Sequence, residues 1–324
     1  MEKVLIVTIR GKGGGAEKII EGLVKSDSDK FKWINMESFL SAPYFYKYAR
    51  FILEIFKNIK YYDRVVVGSE GLLGLIVFPF KLFSKKKFIL WNHCYYDEYK
   101  YYLSKKRRLL FSLSYSMYSL KINASPVSGK GVFIPNPYQF RPIFNKNNKF
   151  LNDSSVTLLS VSSLAKLKCI DLTINLLSEL PREFVLDVFG EGAEEESLKA
   201  LAANVGVKER TRFLGYKNDP FCFDESKARI LIINSYTEAL PTIILESVEH
   251  YIPVIVRAYS GSEYWEGINT VFVVNSITSK TVFETLSYFK SLSGSNYADL
   301  FNADINYLKR NHSYDNFAKR LGEI

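Results

Sequence analysis

Two glutamates, Glu238 and Glu246, lie eight residues apart and enclose a short segment with a proline and a threonine. Carboxylates accept hydrogen bonds from hydroxyl groups, and backbone amides at a helix start bind phosphate oxygens. With the amides of Leu240, Thr242 and Ile243 between them, the two carboxylates can hold a sugar, a pyrophosphate and a ribose together. The spacing alone occurs in many chains, so this prediction depends on the elements around it.

Those elements are a predicted strand and a predicted helix. Glu238 follows an apolar run at residues 230–233, so it lies at the carboxyl edge of a sheet, where doubly wound folds bind ligands. Pro241 and Thr242 suit the first turn of a helix, and Glu246 falls about one turn inside it. The competing interpretation makes Glu246 a solvated helix residue, although its neighbours are apolar.

A glycine-rich segment at residues 13–15 follows the first predicted strand. Gly14 and Gly15 let the backbone approach a ligand closely, and the helix after them would present its N–H groups to a phosphate. The segment is not a dinucleotide fingerprint, because Lys18 stands where the third glycine would be. A simple strand-to-helix turn is the alternative.

Short apolar runs alternate with longer amphipathic stretches along the whole chain, which is typical of βαβ units and parallel sheets. In the first half the runs are residues 4–9, 64–68 and 88–91, with helical stretches at 16–25 and 72–83. In the second half we predict strands at 156–161, 184–189, 211–214, 230–233 and 254–256, with helices at 170–180, 194–203 and 242–250. The fold class is therefore α/β, with two Rossmann-like doubly wound domains at residues 1–144 and 145–324.

The net charge of +9 is distributed unevenly. Residues 1–150 hold 26 Lys and Arg against 11 Asp and Glu, a charge of +15, which leaves 17 against 23, or −6, for the remainder. This asymmetry indicates an anionic partner for the first half, either a nucleic acid or an anionic membrane. The competing interpretation is a basic surface that faces only solvent.

Basic and apolar residues alternate at residues 44–60, and compact basic clusters follow at 85–87 and 105–108. Such amphipathic helices lie on anionic lipid. Core packing with solvated lysines is the alternative. The apolar run at 71–80 is too short to span a bilayer, and the first residues lack the order of a secretory signal. The three cysteines form neither a disulfide framework nor a zinc motif. We therefore expect a cytoplasmic protein.

Several segments together resemble family 4 of the retaining glycosyltransferases, of the bacterial surface-polysaccharide type, which share the GT-B fold of two domains facing a central cleft. The Asn234-to-Glu246 segment is similar to the Glu-x7-Glu signature of that family. The other similar segments are Gly14-Gly15-Ala16-Glu17, Ile134-Pro135-Asn136, Phe189-Gly190-Glu191-Gly192 and Tyr251-Ile252-Pro253-Val254-Ile255.

The resemblance implies a transferase that moves a sugar from a nucleoside diphosphate sugar to a saccharide acceptor, without a metal cofactor. It implies catalytic roles for Glu238, Lys168 and His93, the last of which is otherwise interpreted as a structural histidine. The residues that it places around the donor are Gly14, Gly15, Ser163, Lys166, Lys168, Gly190, Leu240, Pro241, Thr242, Ile243 and Glu246. The first domain would take the acceptor, and with its basic surface we expect a lipid-linked saccharide at the inner face of the membrane.

The chain departs from the family pattern at the diphosphate. Ser163 stands where the family has an arginine, and Lys168-Cys169 where it has lysine and glycine. Lys166 would offer a point charge without the bidentate fork of an arginine. The alternative function is therefore a catalytically silent sugar or nucleotide binder that partners another transferase. A nucleic-acid binder is disfavoured, since no recognition motif accompanies the basic charge.

Overall fold

The computed structural model describes residues 2–11, 14–39, 44–68, 71–127, 130–142, 147–151, 155–222 and 227–324. Two compact units make up the chain. The first unit contains Met1–Gln139 and Arg310–Ile324, and the second contains Phe140–Lys309. Each is an α/β unit built on its own parallel sheet.

The first sheet has the strand order β2-β1-β3-β4-β5-β6 among the described residues, and every pairing is parallel. Its strands are β1 (Val4–Thr8), β2 (Phe31–Asn35), β3 (Arg64–Val67), β4 (Lys87–Asn92), β5 (Leu120–Asn123) and β6 (Val132–Phe133). Its helices are α1 (Gly15–Ser26), α2 (Tyr44–Ile59), α3 (Leu72–Leu82), α4 (Tyr96–Tyr99) and α5 (Lys105–Met117).

Helices cover both faces of this sheet. On one face, Leu5 and Val7 of β1 pack with Phe51 of α2 and Leu73 of α3. On the other face, their neighbours along β1 pack with α1. Because successive strand residues point to opposite faces, a strand covered on both sides must be apolar throughout. This is why β1 reads as one uninterrupted apolar run in the sequence.

The second sheet has the order β12-β11-β10-β7-β8-β9, again with parallel pairing throughout the described residues. Its strands are β7 (Val156–Val161), β8 (Phe184–Phe189), β9 (Thr211–Gly215), β10 (Ala228–Ile233), β11 (Val254–Arg257) and β12 (Val271–Val274). The helices α6 (Ile170–Glu179), α7 (Glu195–Asn204), α8 (Thr242–Glu249) and α9 (Ser279–Ser291) belong to this unit. The chain then continues through α10 (Gly294–His312) and α11 (Tyr314–Glu323).

The predicted fold class is confirmed, and the predicted strands and helices lie within a few residues of those observed. The sequence prediction omitted β2, β5, β6 and β12. The β2 segment, for example, intersperses Lys32 and Asn35 among its apolar residues, and it lies at the edge of its sheet, where burial is incomplete. None of the described helices is long and apolar enough to cross a membrane.

Strand order determines where each sheet can bind a ligand. In the second sheet the chain passes from β7 to β8 and β9 on one side and then to β10 on the other side. In the first sheet the same reversal separates β1 and β3. Such a reversal opens a crevice at the carboxyl ends of the two central strands. The loops after β7 and β10 therefore border the crevice of the second unit.

The last helix, α11, packs against the first sheet. Phe317 and Leu321 are buried with the residues of β1, β3 and β4, and the Phe317 ring lies 4.8 Å from that of Trp91. The buried guanidinium of Arg64 donates hydrogen bonds to the carbonyl oxygens of Leu321, at 2.6 Å, and Gly322, at 2.7 Å. Residues at the end of the chain thus complete the core of the first unit.

Candidate active site at the carboxyl edge of the second sheet

Lys168 and Glu238 form an ion pair at the switch point of the second sheet, the carboxyl edge between β7 and β10 where the strand order reverses. The Lys168 Nζ atom lies 2.5 Å from Glu238 Oε1, and the hydroxyl of Ser235 donates to the same oxygen at 2.7 Å. Lys168 lies in the loop after β7, and Glu238 in the loop after β10. The fold therefore brings together two predicted catalytic residues that are 70 positions apart.

This ion pair is largely shielded from water. The side chains of Lys168 and Glu238 are only 19% and 15% exposed. A charge in such a place is costly without a partner. Both contacts of the carboxylate use Oε1, so among the described residues Oε2 has no hydrogen-bond partner. That oxygen is a ready acceptor for a hydroxyl group of a ligand.

Tyr259 lies behind this carboxylate, after β11. Burial raises the pKa of its hydroxyl far above the ordinary value, and the negative charge of Glu238 raises it further. The Tyr259 hydroxyl accepts a hydrogen bond from the indole N–H of Trp265 at 3.0 Å. It remains protonated at neutral pH and forms part of the rigid wall of the site.

Gly190 allows two loops of the site to pack closely. It directly follows β8 with a φ angle of 129°, and a Cβ atom there would lie 1.8 Å from the carbonyl oxygen of Ser162. A Cβ atom at Gly192 would lie 2.3 Å from the carbonyl oxygen of Leu164. No side chain fits either space. The glycines that resemble the family turn are therefore required by the contact between the loops after β7 and β8.

The loop after β7 also holds Ser163 and Lys166, and both side chains are exposed. Among the described residues, Lys166 forms no ion pair, in contrast to Lys168. Cys169 follows with a φ angle of 49°, in the left-handed region that favours glycine. The backbone here has the conformation suited to the glycine that the family pattern contains, although a buried cysteine takes its place.

Arg257 was not predicted from the sequence, yet it ends β11 at the same edge of the sheet. Its guanidinium lies 4.5 Å from the centre of the Tyr236 ring, and Nη2 donates to Cys169 Sγ at 3.7 Å. Among the residues that the structure describes, it forms no ion pair with a carboxylate. Cys169 directly follows Lys168, so this arginine adds an unneutralised positive charge close to the ion pair. The signal available in the sequence was a single charge directly after an apolar strand.

The start of α8 forms another side of the site. Pro241 precedes the helix, which begins at Thr242, while Leu240 is buried. Within the described residues, the amides of Thr242 and Ile243 have no hydrogen-bond partner, as expected for the first turn of a helix. These donors and the helix dipole favour a bound anion. Glu246 lies one turn further along and is half-buried.

The predicted residues of the first unit also lie at a carboxyl edge. Gly14 directly precedes α1, whose first residue is Gly15, while the neighbouring Gly13 lies outside the described residues. His93 follows β4. Both of its ring nitrogens are buried without a hydrogen-bond partner among the described residues, and burial lowers the pKa of His93 to about 4. The imidazole is therefore neutral at pH 7, and it can donate one hydrogen bond and accept another from a ligand.

Two α/β units of this kind, each with polar groups at the carboxyl edge of a parallel sheet, define the GT-B class of glycosyltransferase folds. Residues 143–267 match the model of the family described as glycosyl transferases group 1. This segment contains the ion pair, the Gly190 turn and the start of α8. This segment is therefore similar to a glycosyltransferase domain.

Two curated relatives each match a little over a third of the chain. An uncharacterized glycosyltransferase of Haemophilus influenzae is 29% identical over 127 residues, which is 38% of this chain and 35% of that protein. The lipopolysaccharide core biosynthesis glycosyltransferase LpsE of Rhizobium meliloti is 28% identical over 120 residues, 36% of this chain and 34% of the relative. The matches thus span about a third of each relative.

The fold has solved counterparts over its whole length. The crystal structure of Anabaena Alr3699/HepE in complex with UDP-glucose superposes with a TM-score of 0.78 at 15% identity, covering 100% of both chains. At this identity the likeness concerns the fold.

Proposed function

We propose that this protein transfers a sugar from a nucleoside diphosphate sugar to a saccharide acceptor, with retention of the anomeric configuration, as a member of family 4. The observation that carries the proposal is the Lys168–Glu238 ion pair at the switch point, between a helix start and an unneutralised guanidinium. This arrangement offers positive charge for a diphosphate and carboxylate oxygens for hydroxyl groups within one small region. The complex of HepE with UDP-glucose supports a donor of this class.

The roles within the site follow from its chemistry. Lys168, Arg257 and the amides at the start of α8 would bind the diphosphate and stabilise its negative charge as the leaving group departs. Oε2 of Glu238 would accept from a hydroxyl of the donor sugar, and Glu246 from the ribose. Transfer of this kind uses no metal at the donor, so addition of Mg²⁺ or Mn²⁺ is expected to leave the rate unchanged.

A thermal-shift screen of nucleotide sugars tests the proposal. A ligand present at 100 times its dissociation constant stabilises the folded protein by about 2.7 kcal/mol. The donor so identified is then incubated with saccharide acceptors, and the anomeric configuration of the product is read by NMR. Glu246→Ala should abolish the shift, whereas Glu284→Ala, an exposed glutamate on α9, should preserve it. Absence of a shift with every nucleotide sugar would refute the proposal.

The same screen distinguishes the active transferase from the second candidate function, a silent binder. A silent binder that partners another transferase would show the thermal shift without transfer or donor hydrolysis by the purified chain. The substitution of the family arginine by Ser163 favours this candidate, and the Arg257 guanidinium at the same edge favours the active enzyme. Turnover by the purified chain alone excludes the silent binder.

The acceptor is proposed to be lipid-linked, in surface polysaccharide biosynthesis, because of one face of the first unit. The helices α2, α3 and α5 cover the same face of the first sheet. Their outer sides expose large apolar residues among basic ones. The exposed apolar residues of this basic apolar face are Ile52, Leu53, Phe56, Leu82, Phe83, Leu109 and Leu113, and the exposed basic residues beside them are Lys57, Lys60, Lys85, Lys105, Lys106 and Arg107.

An anionic membrane would contact both kinds of residue on the basic apolar face, the apolar ones through its hydrocarbon and the basic ones through its headgroups. Phe83 is 91% exposed, a poor arrangement in water for so large an apolar side chain. Each basic residue near an anionic bilayer contributes about 1 kcal/mol. The protein would then work in the cytoplasm as a peripheral protein at the inner face of the membrane. The lipopolysaccharide core biosynthesis glycosyltransferase LpsE supports this setting.

Co-sedimentation with vesicles tests the membrane proposal. Binding to vesicles that contain anionic phosphatidylglycerol should exceed binding to neutral phosphatidylcholine vesicles. Phe56→Ser and Phe83→Ser should each weaken binding to the anionic vesicles. The matched control is Tyr216→Ser in the second unit, an aromatic residue that is 50% exposed. Equal binding to both kinds of vesicle would overturn the proposal.

A further inference from the structure

Three side chains with metal-binding chemistry meet at the amino-terminal edge of the second sheet. Asp219 and Cys222 lie between β9 and β10, and His250 directly follows α8. Since α8 begins at the carboxyl edge and runs for eight residues, its far end lies roughly 12 Å from its start. This cluster is therefore separate from the Lys168–Glu238 site, and its interpretation does not depend on the proposed function.

The spacing of the three side chains suits one small ion. Asp219 Oδ1 lies 3.6 Å from His250 Nε2, and Cys222 Sγ lies 3.8 Å from the same nitrogen. All three ligand atoms lie within 4.8 Å of one another. With metal bonds of about 2.0 Å to nitrogen or oxygen and 2.3 Å to sulfur, tetrahedral zinc separates its ligand atoms by about 3.3–3.5 Å. The two distances to His250 Nε2 exceed these values by only a few tenths of an ångström.

The histidine is oriented as a metal ligand. Its Nδ1 atom lies 2.8 Å from the carbonyl oxygen of Glu246, an acceptor that requires an N–H donor. In the neutral imidazole this bond places the proton on Nδ1 and the lone pair on Nε2, which faces Asp219 and Cys222. Metal-bound histidines usually have such a second hydrogen bond. The stacked Phe221 ring, 5.3 Å away, further fixes the imidazole plane.

The carboxylate is oriented in a similar way. Arg141 Nη2 lies 3.2 Å from Asp219 Oδ2, while Oδ1 faces His250. An aspartate carboxyl has an ordinary pKa of about 3.9. The group is an anion at neutral pH. A thiolate at Cys222 would supply the second negative charge that neutralises a divalent ion.

Among the described residues, this cluster is most accessible at Cys222. The His250 side chain is 4% exposed and that of Asp219 is 29% exposed, whereas Cys222 lies at the surface. An ion can enter beside the thiol and find the imidazole already in place. Solvent would complete the fourth position of a tetrahedron.

We propose that Asp219, Cys222 and His250 bind one borderline-soft divalent transition ion, with Zn²⁺ as the best fit. The choice follows from the ligands, because thiolate and imidazole together favour zinc over the hard cations Mg²⁺ and Ca²⁺. The ion would tie residues 219–222 to the end of α8. It stabilises the second unit and takes no part in sugar transfer.

Cobalt substitution of the full chain tests this proposal. The reduced, tag-free protein is stripped with a chelator and titrated with Co²⁺, which gives a near-ultraviolet charge-transfer band when bound to a thiolate. We expect one Co²⁺ per chain, displacement by Zn²⁺, and a rise in Tm on addition of Zn²⁺. Cys222→Ser should abolish the band and His250→Gln should weaken binding at least tenfold, whereas Cys94→Ser in the first unit should retain both.

The outcomes separate the proposal from its rivals. A band that survives Cys222→Ser but disappears in Cys94→Ser or Cys169→Ser would assign the metal to another thiol and overturn the proposal. Absence of any thiolate band at saturating Co²⁺, with an unchanged Tm in Zn²⁺, would leave a metal-free hydrogen-bonded cluster. Because no assay of sugar transfer is used, failure here is distinct from failure of the proposed function.

Discussion

The guanidinium of Arg257 stacks on the ring of Tyr236, with 4.5 Å between the guanidinium carbon and the ring centre. Tyr236 belongs to the loop that leads to Glu238, and Arg257 ends the neighbouring strand β11. The stack fixes the direction of the arginine without neutralising it. Its charge thus remains available at the edge of the sheet where an anionic ligand is expected.

Replacement of Arg257 by alanine should weaken the binding of a nucleoside diphosphate sugar. A hydrogen bond to a charged group contributes about 1.5–3 kcal/mol, so the dissociation constant should rise about ten- to a hundredfold. Arg257→Lys should recover only part of the loss, since lysine keeps the charge without the planar fork. Isothermal titration calorimetry measures both. Arg182→Ala, an exposed arginine of the same unit, is the control, and unchanged affinity in Arg257→Ala would exclude the assigned contact.

Substitutions of Lys168 and Glu238 should have non-additive effects on the free energy of unfolding, and each should remove the activity. Lys168→Met leaves a shielded carboxylate without its partner and should destabilise the second unit by about 1–3 kcal/mol. Glu238→Gln should do less, because the amide keeps the shape and one acceptor. Adding Glu238→Gln to Lys168→Met should return part of the lost stability.

Activity should behave differently in the same variants. Both single variants and the double variant should lose at least about a hundredfold in kcat/KM, equivalent to about 2.7 kcal/mol. Denaturant unfolding and steady-state assays of the four proteins complete the cycle. Additive stability losses, or wild-type turnover in either single variant, would contradict the role of the pair.

Gly190 provides a test of the loop packing. Gly190→Ala combines a φ angle of 129° with a Cβ atom 1.8 Å from a backbone oxygen, so the loops after β7 and β8 must separate. The matched control is Gly206→Ala, where φ is 75° but nothing lies within 4 Å of the added Cβ atom. The control should cost about 1–2 kcal/mol from backbone strain alone. Gly190→Ala should cost more and also weaken donor binding; equal effects in thermal unfolding would argue against the steric account.

His93 should make the stability of the protein depend on pH. Burial lowers its pKa from 6.5 to about 4, so the unfolded chain takes up the proton before the folded chain does. Stability from this group is therefore intact above about pH 6.5 and falls towards pH 4, by about 3 kcal/mol in all. His93→Gln should flatten the pH dependence of the unfolding free energy between these values. His312, whose pKa is also lowered to about 4, should act in the same direction, so His312→Gln should have a similar effect. An unchanged pH dependence of the unfolding free energy in both His93→Gln and His312→Gln would contradict this explanation.

The sequence predicted the central strands well because their burial on both faces leaves a continuous apolar run, as in β7 and β10. It failed at edge strands such as β2, where polar residues interrupt the run. The Glu238 position was predictable from the rule that loops after parallel strands carry the site. The sequence could not predict that Ser235 and Lys168 both contact Oε1 of Glu238, because this contact depends on side-chain directions.

Arg257 shows the main limit of inference from one sequence. Its importance depends on β11 lying next to β10, a neighbour relation set by the strand order of the whole sheet. The departure at Ser163 was visible in the sequence, but a positive charge supplied about 90 residues later was not. The Asp219, Cys222 and His250 cluster was missed for the same reason, because Cys222 and His250 have no characteristic spacing along the chain.

The packing of α11 on the first sheet has a consequence for the order of folding during synthesis. Arg64 and Leu321, which share a hydrogen bond, are separated by 257 positions, and the whole second unit is made between them. The core of the first unit therefore stays open beside Trp91 until α11 has been made and has left the ribosome. Newly made chains thus hold the basic first unit incomplete while the second unit is being made.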